Sequence, residues 1–72
     1  MAKTAKYKQV VDWVKNRIET GELRDGDKLE TEQEIGKRFG ISRQTVRHGL
    51  EQLEREELLE KIQGSGSYVR TW

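Results

Sequence analysis

Apolar residues recur at helical spacing in the first part of the chain, between Tyr7 and about Thr20. The apolar positions that follow this spacing are Tyr7, Val10, Val11, Val14 and Ile18. Such spacing places apolar side chains along one face and predicts an amphipathic helix. Gly21 is expected to end it, because glycine readily adopts the left-handed conformation that follows many helices.

A capping box opens a second predicted helix at Thr31. The sequence Thr-Glu-Gln-Glu at residues 31–34 allows the Thr31 hydroxyl and the Glu34 carboxylate to bond each other's backbone amides. The helix is expected to run to Phe39, with Ile35 and Phe39 buried one turn apart. It is short, about two turns, and suits a supporting role.

A tight turn separates this helix from a third, predicted at residues 42–56. Gly40 suits the position just past a helix end, and Ser42 offers its hydroxyl to the free amides of the next turn. The apolar stripe of the third helix consists of Val46, Gly49, Leu50 and Leu53. The opposite face carries Gln44, Arg47, His48, Glu51 and Arg55. This is the arrangement of a helix-turn-helix, in which the second helix carries the outward-facing chemistry.

Beyond the third helix the pattern changes to two short runs of β-compatible residues. The runs cover residues 58–63 and 67–70, and residues 64–66 join them as Gly-Ser-Gly. They predict a β-hairpin, and Lys28-Leu29 is expected to form a further, very short strand. The complete prediction is a mainly α fold with a small antiparallel β-hairpin, a winged helix-turn-helix of three helices plus a wing.

The composition limits the functions open to this 72-residue chain. The length fits one small domain, expected at residues 7–70 after a flexible N-terminal tail of residues 1–6. With no cysteine and one histidine, the chain is expected to hold no disulfide, metal ion or cofactor. It has no apolar leader and no apolar run of the ~20 residues needed to cross a membrane, so a cytoplasmic protein is expected.

Basic residues are concentrated in one stretch, although the formal net charge is only +1. No Asp or Glu lies between Ile35 and Leu50, and this stretch contains Lys37, Arg38, Arg43 and Arg47. A segregated basic surface is typical of proteins that bind nucleic acid. The alternative is an ordinary solvated helix face.

Side chains at the start of the third helix match those that read the major groove of DNA. Arg43 and Arg47 lie one turn apart, and each suits the O6 and N7 atoms of guanine or an adjacent phosphate. Gln44 suits a neighbouring adenine in the same way. Thr45 is expected to donate its hydroxyl to the DNA backbone.

Other residues are placed for the DNA backbone rather than for bases. Lys37 and Arg38, near the end of the second helix, are expected to contact phosphates. His48 either donates to a phosphate or faces solvent without a special role. The tip of the wing is expected to reach the sugar-phosphate backbone or the minor groove, unless its glycines simply serve a tight turn. The wing residues concerned are Gln63, Gly64 and Ser65.

Much of the chain, about residues 7–69, resembles the N-terminal DNA-binding domain of GntR-type bacterial transcription regulators. The segments that carry the resemblance include Gly26-Asp27-Lys28-Leu29, Phe39-Gly40-Ile41-Ser42-Arg43 and Gln63-Gly64-Ser65-Gly66-Ser67-Tyr68-Val69. The resemblance implies contacts to bases and phosphates in the major groove from Ser42, Arg43, Gln44, Thr45 and Arg47. It also implies that Gln63 and Gly64 reach the minor groove.

The resemblance has implications for partners as well. Regulators of this type bind a near-palindromic operator as homodimers, and they usually carry a C-terminal domain that binds a small-molecule effector and supplies the dimer interface. That domain is absent from this chain, which looks like an excised DNA-binding module. Two departures from the family pattern concern the site: Gln33 stands where many members have Arg, and His48 where Glu is frequent.

The residues predict sequence-specific binding of double-stranded DNA, and the resemblance implies that the chain is the operator-reading module of a metabolite-responsive repressor. The alternative is a winged helix that binds only other proteins, which leaves the clustering of Arg43, Gln44 and Arg47 without a reason. An enzyme is not expected, because residues 64–66 lack the helix and lysine that follow a nucleotide-binding loop.

Overall fold

The computed structural model describes residues 6–70 and contains, within them, three helices and one two-stranded antiparallel sheet. In chain order the elements are helix α1 (Lys6–Glu19), helix α2 (Glu32–Phe39), helix α3 (Arg43–Arg55), strand β1 (Leu59–Ile62) and strand β2 (Gly66–Val69). This confirms the mainly α winged helix-turn-helix, with elements close to their predicted bounds. Of the predicted tail, residues 1–5 lie outside the described residues, and Lys6 is already the first residue of α1.

Local capping interactions fix the start and end of α2. The Glu34 amide donates to Thr31 Oγ1 at 3.1 Å, and the Thr31 amide donates to Glu34 Oε1 at 2.9 Å, which is the predicted capping box. At the other end Gly40 adopts the left-handed conformation, with φ 66° and ψ 37°. The chain then folds back so closely that a Cβ atom on Gly36 would lie 2.9 Å from the Ile41 carbonyl oxygen. The tight turn between α2 and α3 therefore depends on Gly36 and Gly40.

One apolar core lies between the helices and the sheet. Its buried members are Val10, Val11, Val14, Leu23, Leu29, Ile35, Val46, Leu50, Leu53, Leu59 and Val69. Helices α1 and α3 approach closely at Gly49, where a Cβ atom would lie 2.8 Å from the Tyr7 carbonyl oxygen and 3.2 Å from the Val10 Cβ. The absence of a side chain at Gly49 thus brings the start of α1 beside the outward face of α3.

The β-hairpin is fixed to the rest of the molecule in two ways. Leu59 of β1 is buried in the core. The loop before α2 also bonds to β2, since the Leu29 amide donates to the Ser67 carbonyl at 2.8 Å. The short strand expected at Lys28-Leu29 is present as a single bridge between Lys28 and Tyr68. These contacts hold the wing beside the start of α3.

Candidate nucleic-acid interface

The outward face of α3 lines an open groove of about 860 Å³, here called the α3 groove. The predicted residues in its wall are Ser42, Arg43, Gln44, Thr45, Arg47 and His48, and the groove is completed by Lys6, Tyr7 and Glu51. Because the apolar stripe of α3 is buried in the core, these polar side chains project outward as the sequence predicts. The structure therefore brings the predicted major-groove readers together on one surface.

The hydroxyl groups of Ser42 and Thr45 belong to the N-terminus of α3. Ser42 Oγ accepts a hydrogen bond from the Thr45 amide at 3.1 Å and lies 2.8 Å from Thr45 Oγ1. This N-cap determines where α3 begins and places Arg43 at its first helical position, with an exposed side chain. The contacts of both hydroxyls with a DNA backbone stay predictions.

Arg47 has a partner that the sequence did not indicate. Its Nε donates to Glu32 Oε2 at 3.2 Å and its Nη2 to Glu32 Oε1 at 3.3 Å. The hydrogen bonds from the guanidinium to Glu32, and then the charge of that carboxylate, raise the pKa of Arg47. The Arg47 side chain is still 53% exposed, whereas that of Glu32 is 19% exposed. Because Glu32 belongs to α2, no spacing within α3 predicts this pair.

The His48 side chain is exposed and contacts an aromatic ring of α1. Its imidazole stacks on the Tyr7 ring, with the ring centroids 4.1 Å apart and the ring planes 18° apart. Tyr7 was predicted in the apolar stripe of α1 and Lys6 in a flexible tail, so neither was expected to line the α3 groove. The only signal for Tyr7 was its place at the end of that stripe, where a phenol ring can be partly exposed.

Arg38 packs against α1. Its guanidinium lies 5.0 Å from the centroid of the Trp13 ring, and the same ring is 4.5 Å from the Arg17 guanidinium. Trp13 also meets Phe39 edge to face, with centroids 5.2 Å apart. Both Lys37 and Arg38 are exposed near the end of α2. The phosphate contacts expected of Lys37 and Arg38 stay predictions.

A second groove, here called the wing groove, lies between α3 and the hairpin and has a volume of about 390 Å³. Gly64 and Ser65 at the tip of the wing line it together with Arg43 and Arg47. Gln63 is exposed in the same turn. The Ser65 and Tyr68 hydroxyls are hydrogen-bonded to each other. The wing tip and the predicted reading residues thus share one surface of the molecule.

The charged and polar side chains of residues 6–70, the part of the chain that the structure describes, lie at or near the surface. No charged or polar side chain is buried in this part of the chain. Within the same range no group of His, Asp and Glu side chains is arranged to hold a metal ion. Nor does any helix in it combine the length and apolar character needed to cross a membrane.

A helix-turn-helix that exposes a basic second helix, with a β-hairpin wing beside it, defines the class of winged helix-turn-helix DNA-binding domains. Residues 6–69 match the family described as "Bacterial regulatory proteins, gntR family". The chain belongs to this GntR family.

Curated relatives of the chain are described as repressors. The chain is 48% identical over 64 residues to the mannosyl-D-glycerate transport/metabolism system repressor MngR of Escherichia coli (strain K12), covering 89% of this chain and 27% of that protein. It is 44% identical over 64 residues to the arabinose metabolism transcriptional repressor of Geobacillus stearothermophilus, covering 89% of this chain and 18% of that one. The chain therefore spans about a quarter or less of the length of these relatives.

Solved structures with the same fold include complexes with operators. The N-terminal domain of AraR, in complex with a mutant operator, superposes with a TM-score of 0.91 at 33% identity, covering 96% of this chain and 99% of that one. The AraR DNA-binding domain in complex with operator ORR3 gives a TM-score of 0.86 at 36% identity, covering 89% and 77% of the two chains.

Proposed function

We propose that this chain is the operator-reading module of a bacterial transcription repressor and that it binds double-stranded DNA in a sequence-specific way, without catalysis. The observation that carries the proposal is the joint exposure of Arg43, Gln44 and Arg47 in the α3 groove, next to the wing. Relatives described as repressors, and the similarity to domains solved with operators, support it.

In this proposal α3 enters the major groove, where some of its side chains contact bases and others contact the DNA backbone. Arg43 and Arg47 bond guanine edges or an adjacent phosphate, and Gln44 bonds a neighbouring adenine. The DNA backbone is contacted by Ser42, Thr45, Lys37, Arg38 and His48. The wing brings Gln63, Gly64 and Ser65 to the minor groove.

A single module neutralises few phosphates, so its affinity is expected to be low and strongly dependent on salt. We propose that the whole regulator is a homodimer that binds a near-palindromic operator with half-sites one helical turn apart or a multiple of it. In this proposal the dimer interface and the small-molecule effector site belong to a further domain of the regulator. Since bacterial DNA lies in the cytoplasm, the proposed function implies that location.

Selection of bound duplexes from a random pool tests the proposal. The 72-residue chain is expected to enrich one motif of about half-site length. In competition with random DNA, displacing the chain from the enriched duplex is expected to need a much higher competitor concentration than displacing it from an unselected duplex. Binding without any enriched motif, or no binding at low salt, would contradict sequence-specific reading. The second outcome would instead favour the alternative, a winged helix that binds only proteins.

A further inference from the structure

Glu32 is an acidic side chain beside the arginines of the proposed reading surface. It lines the wing groove together with Arg43 and Arg47. A carboxylate that faces the phosphates of DNA weakens binding through like-charge repulsion, whatever the sequence of the duplex. What distinguishes Glu32 from the other acidic residues of the two grooves is its pair of hydrogen bonds with Arg47.

The geometry of the Glu32 pair leaves the reading edge of Arg47 free. A guanidinium has five N–H donors in one plane. Glu32 accepts from Nε and from Nη2, which form the side edge of the group. The Nη1 donors and the second Nη2 hydrogen are left, and the end of the group formed by Nη1 and Nη2 is the fork that fits O6 and N7 of guanine.

The carboxylate is itself held by the scaffold. Glu32 is the first residue of α2, immediately after the N-cap Thr31 and within the capping box that Thr31 forms with Glu34. Only 19% of its side chain is exposed, compared with 53% for Arg47. The arginine, with its many rotamers, is thus restrained by a partner on a different and fixed helix, which lowers the entropy lost when it binds a base.

We infer that Glu32 is a positioning residue for sequence reading: it holds Arg47 by the side edge so that the end fork points toward the DNA bases. The inference rests on the proposed function and deepens it, because Glu32 contributes to discrimination among sequences without touching a base. The opposite possibility is that Glu32 competes with DNA for Arg47. In that case its removal would strengthen operator binding and would not reduce discrimination.

The test compares affinities for two duplexes, one selected by the unaltered chain from a random pool and one of random sequence. Glu32→Ala is expected to reduce the preference for the selected duplex by about fivefold or more, with the loss concentrated at one base pair. Its binding to the random duplex is expected to stay the same or rise, because a negative charge is removed. Glu32→Gln, which keeps one acceptor oxygen, is expected to lose less of the preference.

Two comparisons separate positioning from charge and from folding. Glu51→Gln removes an equal charge from the α3 groove and leaves the Glu32–Arg47 hydrogen bonds in place. This variant is expected to strengthen binding to both duplexes alike. In an Arg47→Ala background, Glu32→Ala is expected to cause no further loss of preference. Thermal unfolding shows whether Glu32→Ala folds. If it does not, the affinities of Glu32→Gln for the two duplexes are compared instead.

A preference that survives both Glu32→Ala and Glu32→Gln overturns the inference and leaves the proposed function intact. A preference that increases in these variants overturns it too, and identifies Glu32 as a competitor for Arg47. If the unaltered chain shows no preference for any duplex, the proposed function fails and the inference fails with it.

Discussion

Two arginines of the same helix stand one turn apart and are held in different ways. Arg47 is paired with Glu32 of α2, whereas Arg43 occupies the first position of α3, where the N-cap places it in an exposed position. Lys37 lies exposed on the neighbouring helix and carries a charge without a planar fork. Single substitutions are therefore expected to separate base reading from phosphate binding.

Arg47→Ala is expected to weaken binding to the selected duplex by about 1–3 kcal/mol and to relax the preference at one base pair, because a bidentate contact to a base is lost. Lys37→Ala is expected to weaken binding to all sequences and to reduce the salt slope by about 1. Fluorescence anisotropy titrations at several salt concentrations measure both effects. An equal loss on selected and random DNA for Arg47→Ala would remove its reading role.

At the scale of elements, the crossing of α1 and α3 decides which side chains meet in the α3 groove. The Tyr7 carbonyl oxygen lies against Gly49, and the Tyr7 ring then stacks on His48. The contact at Gly49 involves backbone atoms, which cannot move aside as a flexible side chain does. The position of α1, and with it one wall of the groove, thus depends on the absence of a single Cβ atom.

Gly49→Ala is expected to destabilise the fold by about 1–3 kcal/mol, since overpacking at the crossing outweighs the better helix propensity of alanine. Urea unfolding monitored by circular dichroism measures the change. Arg55→Ala, which alters an exposed side chain on the same helix, is the control and is expected to change stability by about 0.5 kcal/mol or less. Unchanged or increased stability of Gly49→Ala would mean that the helices separate at little cost.

At the scale of the whole molecule, ion pairs join α1 to other parts of the chain. Arg17 Nε lies 2.6 Å from Glu22 Oε2 and its Nη1 lies 2.9 Å from Glu30 Oε1, while Lys15 Nζ lies 2.7 Å from Glu56 Oε1. Each exposed pair contributes little by itself. Together they connect α1 with the loop before α2 and with the end of α3, so their titration affects the complete domain.

The stability of the domain is expected to fall in acid. Partial burial tends to raise the pKa of Glu30, but hydrogen bonds from Arg17 and from its own backbone amide, with the charges of Arg17 and Arg38, lower it overall. Hydrogen bonds from Lys15 and Gln52 lower the pKa of Glu56. A lowered carboxylate pKa contributes stability that is present above the unfolded pKa and is lost as the pH falls through the folded value.

Thermal unfolding between pH 7 and pH 3 is expected to show a melting temperature that declines as the pH falls below about 4.5, the ordinary value for Glu. Glu30→Gln is expected to make that decline smaller, because one of the linked carboxylates is gone. Glu19→Gln, which alters an exposed carboxylate on α1, serves as the control. An identical decline in Glu30→Gln and the unaltered chain would assign the acid sensitivity to other groups.

The sequence by itself determined the parts of this protein whose interactions are local. The capping box of Thr31 and Glu34, the left-handed Gly40 and the N-cap at Ser42 each involve residues within one or two turns, and all are present as predicted. Helical spacing of apolar residues likewise determined which faces of α1 and α3 are buried. With the composition, this was sufficient to predict the winged helix-turn-helix and the outward placement of the α3 side chains.

Only the tertiary structure decided which side chains from different helices meet. Glu32 and Arg47 are 15 residues apart and belong to different helices, and no periodic pattern connects residues at such a separation. The same holds for the stacking of Tyr7 on His48 and for the position of Arg38 over Trp13. These contacts depend on the angles and distances at which whole helices cross, and those are set by close packing at glycines and core residues rather than by the local order of side chains.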